Sequence, residues 1–327
     1  GNMWKFNLTS SDMDDWRIAH ESAPPKFPAP LFTATDENGD PQPITAKPDV
    51  MAHTDRSLPG YIVVFGTGKY LGLSDFNDTQ TQTVYGIWDY GDDTDKREYL
   101  GTFQRGDAQQ LSNLESGIEL LKQEEIYYDI PDGFSQYMRV ISDYSINYEV
   151  EEDSDIDGQP NPTNDAVTLP NPTHVGWYFD LPIRKERMVR DLFIRGGKVI
   201  FITTIPNHSP CSAGGESVLM EVDATSGSRL TEAQFDINND GVIDDADLIT
   251  IEVPNPAYDP SDPASSATIT ITVAPSGLWF PTMLYPPSIV GIEREEIKLM
   301  STAAGGIIDV REVAEKKGIV YWLQLNN

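Results

Sequence analysis

Three shortages frame this 327-residue sequence: one cysteine, four histidines, and 23 lysines and arginines against 52 aspartates and glutamates. A single cysteine, Cys211, excludes an internal disulfide and leaves the redox compartment open. His208-Ser209-Pro210-Cys211 offers two metal ligands, too few for a site, and His20, His53 and His174 are scattered. There is no Gly-x-Ser-x-Gly elbow and no His-Glu-x-x-His, and paired carboxylates are too abundant to mark glycosidase chemistry, so no catalytic set stands out. The net charge of −29 excludes a nucleic-acid partner, since a polyanion is repelled on every approach. It disfavours an anionic membrane surface for the same reason and suits a protein that binds cations. No stretch of about 18 apolar residues exists to insert directly into a membrane as a helix.

What the chain does contain is β-forming sequence. Twelve Phe, 14 Tyr and six Trp supply large core side chains. Gly1 to Leu8 alternates around Trp4 and Phe6 and reads as a strand already under way, as in a mature secreted fragment of a larger architecture. Tyr61–Leu71 and Thr83–Tyr90 form an antiparallel pair in prospect, followed by Tyr137–Ile141, Gly176–Pro182, Lys198–Thr204, Ser217–Asp223, Thr268–Val273 and a closing strand at 318–325. Gly66-Thr67-Gly68-Lys69 lacks the earlier glycine and the following Ser or Thr of a phosphate loop, so it predicts a strand with close backbone packing. Leu111, Leu114, Ile118 and Leu121 recur at three and four residues and predict one short helix. Short strands with frequent turns predict an all-β sandwich, barrel or propeller. A weak repeat, Trp4 and Phe6 leading to 61–71 and Trp177 and Phe179 leading to 198–204, favours the propeller. The chain divides into residues 1–106, an acidic insertion at 107–175 with the helix and a loop, and residues 176–327.

Residues 236–247, Asp-Ile-Asn-Asn-Asp-Gly-Val-Ile-Asp-Asp-Ala-Asp, have the spacing of an EF-hand-like calcium loop. Calcium takes six to eight oxygens, and such a loop supplies them from alternate positions. Here these are Asp236, Asn238, Asp240, the Val242 carbonyl and Asp244, with Gly241 at the sharp turn and Ile243 at the usual core-facing position. Asp247 stands where sensor loops carry Glu; one methylene shorter, it is the weakest ligand of the set. Only Ala233-Gln234-Phe235 precedes the loop, which therefore looks grafted onto a β scaffold rather than set between paired helices. A second, weaker candidate is Asp153-Ser154-Asp155-Ile156-Asp157-Gly158, followed by Pro160 and Pro162. Arg105-Gly106-Asp107 spells the tripeptide that integrins read, which three residues match readily by chance.

Several stretches resemble the C-terminal domain of the type IV pilus tip-associated adhesins and biogenesis factors of the PilY/PilC family. They are Gly1–Phe6, Phe65-Gly66-Thr67-Gly68-Lys69-Tyr70-Leu71, Tyr85-Gly86-Ile87-Trp88-Asp89, Gly176–Pro182, Glu186-Arg187-Met188-Val189, Pro210-Cys211-Ser212-Ala213-Gly214-Gly215-Glu216-Ser217, the calcium loop and Gly318–Leu325. The resemblance implies a modified β-propeller of the quinoprotein type, incomplete in this chain, with a calcium loop inserted in it. It implies that Asp236, Asn238, Asp240, Val242 through its carbonyl and Asp244 hold calcium, without position 12. It further implies a place at the pilus tip or outer surface after export through the periplasm. The implied partners are minor pilins, the pilus tip complex and a host or surface ligand. Implied roles are promotion of pilus assembly, calcium-dependent opposition to retraction, adhesion and twitching motility, with no enzymatic activity. Two departures are the absence of a variable N-terminal adhesive region and first blades, and a long acidic segment at 107–170.

Two rivals from other classes are a quinoprotein dehydrogenase, suggested by the turn Val222-Asp223-Ala224-Thr225-Ser226-Gly227, and a dockerin-like binding module. The first usually carries vicinal cysteines at its cofactor, and the second carries two loops each followed by a helix. The combined substitution Asp236→Ala and Asp240→Ala is expected to abolish calcium binding in a calorimetric titration. An unchanged titration sinks the assignment.

Overall fold

The computed structural model describes residues 1–21, 27–55, 58, 60–89, 118–148, 173–207, 214–255, 257–258, 261, 265–292 and 295–313. The predicted strand at 318–325, the Asp153 to Asp157 candidate, Arg105-Gly106-Asp107, and His208 and Cys211 lie outside these residues. Among the described residues the regular structure is β-strand and short 3-10 turn, without an α-helix, as the strand-rich sequence predicts.

Three small ribbons open the chain: β1 (Asn2–Met3) with β6 (Phe32–Thr33), β2 (Phe6–Asn7) with β3 (Arg17–Ile18), and β4 (His20–Glu21) with β5 (Pro28–Ala29). The single strand expected over 1–8 is thus two. The chain changes partner at Trp4 and Lys5: the Met3 carbonyl accepts from Leu31 N–H (2.8 Å), the Lys5 carbonyl from Ala19 N–H (2.9 Å).

A five-stranded sheet follows, built from β7 (Asp49–Ala52), β8 (Tyr61–Gly66), β9 (Thr83–Asp89), β10 (Ile118–Gln123) and β13 (Thr173–Asp180) in the order β10-β13-β9-β8-β7. Residues 118–123, expected within a helix, form β10 instead. Leu121 lies opposite Trp177 in a parallel pairing with β13, and Leu120 is buried. Six residues of weak helical spacing yield to a ladder on the edge of a sheet. The preceding Leu111 and Leu114 lie outside the described residues.

The second large sheet has six strands: β11 (Glu125–Asp129), β12 (Met138–Ile141), β14 (Phe193–Arg195), β15 (Lys198–Pro206), β16 (Gly215–Asp223) and β19 (Gly277–Phe280), in the order β11-β12-β19-β16-β15-β14. β15 shows how the layers stack. Val199 and Phe201 enter a core shared with β8, β9 and β13, while Ile200 and Ile202 enter a second core on the opposite face. Burial on both faces is why Val199-Ile200-Phe201-Ile202 is an unbroken apolar run.

The second core is closed by the hairpin β17 (Ile249–Pro254)–β18 (Thr268–Val273) and by the sheet β20 (Ser288–Ile292)–β21 (Glu295–Ser301)–β22 (Ile307–Val313). Beside it lies a buried ion cluster. Lys298 on β21, fully buried, donates to the carboxylates of Glu221 on β16 and Glu312 on β22, and Lys198 Nζ lies 2.8 Å from Glu221 Oε2. Burial pushes Lys298 down to about 8. Burial also opposes ionisation of Glu221, yet Lys298 and Lys198 outweigh it and hold its carboxyl below the usual range.

The segment between β13 and β14 ties the two large sheets together. Arg139 on β12, fully buried, grips Glu186 with both ends of its fork (Nη1–Oε1 2.8 Å, Nη2–Oε2 2.9 Å) and donates through Nε to Glu125 Oε2 (2.7 Å). Thr203 Oγ1 and the Ile183 N–H also donate to Glu186, at 2.6 and 3.2 Å. The next residue, Arg187, donates to the carbonyls of Lys69, Asp75 and Asp78 beyond β8. Met188 then packs on Gly66, where a Cβ would lie 2.2 Å from Met188 Sδ, so only glycine fits and the expected close backbone packing is present.

Truncating one member of a buried ion pair leaves the other charge unpaired, at a cost of about 3–5 kcal/mol. Arg139→Ala is expected to lower the unfolding free energy by about that amount, and Arg139→Lys, which keeps the charge but loses the fork, by part of it. The urea midpoint reads this; two variants unfolding at the wild-type midpoint would show that the pair does not hold the sheets.

Candidate metal centre

The loop at 236–247 is entered along β22. Phe235, fully buried in the second core, forms a bridge with Glu312, and the Asp236 N–H donates to the Arg311 carbonyl (3.1 Å). It is left through Ile249, the first residue of β17, also buried in that core. Both ends are therefore fixed by apolar burial, and the twelve residues between them are free to be polar. Ile237 packs against the second core, whereas Ile243, expected to face the core, is half-buried.

Within the loop the side chains organise their own backbone. Asp236 Oδ2 accepts from Gly241 N–H (3.0 Å), Asn238 Oδ1 from Asp240 N–H (2.8 Å), Asp240 Oδ1 from Val242 N–H (2.8 Å) and Asp244 Oδ1 from Ala246 N–H (2.8 Å). The last three are bonds that short acidic and amide side chains form because their oxygens reach a backbone donor two residues on, while the Asp236 bond spans five residues across the turn. The turn requires left-handed backbone at Asn239 (φ 60°) and Gly241 (φ 86°), which asparagine and glycine tolerate best.

Asp247 has a different place from the other carboxylates. It is fully buried; Oδ1 accepts from the N–H groups of Ile237 (2.8 Å) and Asn238 (3.3 Å), and Oδ2 from that of Asp244 (3.1 Å). It joins the first and last thirds of the loop by backbone donors alone. This role needs two oxygens on a short stem, which Asp supplies, and position 12 by itself gave no sign of it.

A cation fits the remaining donors. Asp236 Oδ1 is buried with no hydrogen-bond partner among the described residues, a situation that costs free energy for a carboxylate oxygen unless a positive charge or donor meets it. Asn238, Asp240 and Asp244, with the Val242 carbonyl, follow at alternate positions. Among the described residues no three acidic, His or Cys side chains already stand together as a metal cage. The side-chain oxygens of Asp236, Asn238, Asp240 and Asp244 are engaged with backbone N–H groups of the loop, and two of the five donors, the Asn238 amide and the Val242 carbonyl, are neutral. The orphaned oxygen is the more telling feature, because a closed acidic turn would satisfy itself. On one side the loop borders a cleft of ≈ 470 Å³ lined by Asp236, Asp240, Gly241, Asp309 and Arg311 among others.

Residues 1–121 match the family model described as the PilY1 beta-propeller domain. The type IV pilus biogenesis factor PilY1 of Pseudomonas aeruginosa strain PAO1 is 28% identical over 261 residues, covering 75% of this chain and 20% of that protein. A PilY1 homolog of Xylella fastidiosa is 30% identical over 234 residues, covering 69% of this chain and 13% of that protein. The chain thus spans a fifth or less of the length of these curated relatives. The crystal structure of the Pseudomonas aeruginosa PilY1 C-terminal domain superposes with a TM-score of 0.63 at 23% identity, covering 97% of this chain and 56% of that one, and so shares its fold. The resemblance carried by such stretches as Gly1–Phe6 and Phe65–Leu71 holds, and the chain belongs to the PilY1 family, as a C-terminal domain with the family's β-propeller fold.

Proposed function

We propose that this domain is a calcium-binding module of a type IV pilus tip adhesin. It promotes pilus assembly and opposes retraction in a calcium-dependent way, supporting adhesion and twitching motility. The pilus context rests on relatives named as type IV pilus biogenesis factors. The calcium reading rests above all on Asp236 Oδ1, buried without a partner at position 1 of a loop whose other positions carry oxygen donors. Calcium would be held by Asp236, Asn238, Asp240, the Val242 carbonyl and Asp244, and the bound ion would supply two positive charges that offset the repulsion of the carboxylates it draws together. Asp247 holds the loop's shape rather than the ion.

The domain acts in this reading as a binding module and not an enzyme, in keeping with relatives whose names carry no catalytic activity. It works outside the cell, at the pilus tip or outer surface. Its partners are the minor pilins and tip complex, with a surface ligand for adhesion. No helix among the described residues is long and apolar enough to cross a membrane. Calcium ordering the excursion at 236–247 would favour the assembled, retraction-resisting state, and proton competition for the carboxylates would weaken it in acid.

Two substitutions separate the roles. Asp244→Ala is expected to leave the fold intact and to remove calcium dependence of piliation and twitching in the strain that carries it. Asp247→Ala strips three backbone amides of their acceptor and is expected to destabilise the domain by about 2–3 kcal/mol even with calcium chelated. Piliation and motility unchanged by Asp244→Ala at every calcium level, when full deletion abolishes them, would overturn the regulatory role.

A further inference from the structure

Among the described residues outside the loop, Arg311 contacts it through both backbone and side chain. Its carbonyl accepts from Asp236 N–H (3.1 Å), and its Nη1 donates to the Gly241 carbonyl (3.2 Å). The N–H of the same Gly241 donates to Asp236 Oδ2 (3.0 Å). A single residue therefore stands between the guanidinium and the first acidic ligand. Both line one cleft with Asp240 and Asp309. Gly241 gives the guanidinium its room: a Cβ there would sit 3.2 Å from Nη1.

We propose that Arg311 sets the calcium affinity of the loop by acting as a built-in counter-charge. The inference rests on the calcium reading above. Without the metal, Asp236, Asp240 and Asp244 repel one another, and a permanently charged guanidinium beside them offsets part of that repulsion. When a divalent cation enters, the same guanidinium opposes it. Arg311 thus stabilises the metal-free loop relative to the loaded one and weakens binding. Loop affinity is tuned by ligand charge and rigidity; here a cation outside the ligand set lowers the effective charge the ion meets. Arg311 belongs to β22, whose Glu312 is held in the buried ion cluster, so the guanidinium is anchored at its root and does not drift away with the loop.

The magnitude follows from Coulomb's law. A unit charge about 7 Å from a divalent ion in a water-like dielectric changes affinity roughly three- to tenfold. Calorimetric titration of the chain with calcium chloride, at low salt and in 1 M KCl, tests this on wild type, Arg311→Gln, Arg311→Met and Arg311→Lys. Gln keeps a donor without charge, Met keeps length with neither, and Lys keeps the charge. Gln and Met are expected to bind roughly three- to tenfold more tightly at low salt, Lys within about twofold of wild type, with the differences shrinking in 1 M KCl, where screening is near 3 Å. Gln and Met binding no more tightly than wild type, or Lys tightening as they do, would overturn the role of charge. A wild-type chain that takes no calcium would instead overturn the loop reading on which this one stands. Unchanged circular dichroism of the variants in chelator shows that they are folded.

Discussion

The pairing of Arg139 with Glu186 is the constraint on which the stacking of the two large sheets turns. Arg139 comes from the six-stranded sheet, Glu186 from the segment that leaves the five-stranded one, and both side chains are fully buried. Two isolated charges could not be buried there; a bidentate pair with Glu125, Thr203 and a backbone amide filling the remaining donors and acceptors can. Once Glu186 is held, Arg187 is placed over the carbonyls of Lys69, Asp75 and Asp78, and Met188 over Gly66. Three consecutive residues thereby specify how one sheet meets the other. Apolar surfaces alone would allow sliding, because burial is proportional to area and has no direction.

A second buried polar group does the same for the outer layer. Lys298 meets Glu221 from the six-stranded sheet and Glu312 from β22, so the β20–β22 sheet is keyed to β16 by charge as well as by Met300 and Val310. The same strand β22 receives the loop at Asp236 and presents Arg311 to Gly241. The loop at 236–247 is therefore positioned by a strand whose own register is fixed by buried ions. That arrangement explains how a polar loop of twelve residues keeps a defined geometry at the surface.

The parts of this fold that could be read from sequence are those whose residues are apolar for one reason only. β8, β9, β15 and β16 are buried on both faces and show as continuous β-branched and aromatic runs. β21 and β22 are not legible because their inward positions hold Glu296, Lys298 and Glu312 alongside Met300 and Val310, so buried ionic side chains break the apolar alternation. β10 reads as helix in the sequence because Ile118 and Leu121 stand three residues apart, a helical spacing, and only the parallel pairing with β13 reveals the strand. In the loop, the donor spacing was plain from residue types. The orphaned oxygen of Asp236, the amide-holding role of Asp247 and the approach of Arg311 were not, since all three depend on where residues distant in sequence, or on the other side of a turn, come to lie.

The place of the loop within the sheet explains why such a site can be inserted at all. β16 and β19 are neighbours, with Ser217 opposite Phe280 and Met220 opposite Gly277, yet residues 224–276 intervene and carry the loop and the β17–β18 hairpin. The entropic penalty for closing a connection grows only with the logarithm of its length, about 0.6 kcal/mol per doubling. A long excursion between paired strands is therefore tolerated, provided that it buries enough of its own apolar surface. Phe235, Ile249, Ile251 and Val253 do so against the outer face of the six-stranded sheet. The sheet's ladder does not run through the loop, so ordering or loosening residues 236–247 need not break a single strand pairing between β16 and β19. A loop mounted in this way can change conformation while the sheets beneath it stay folded, which is the mechanical condition the proposed calcium response would need.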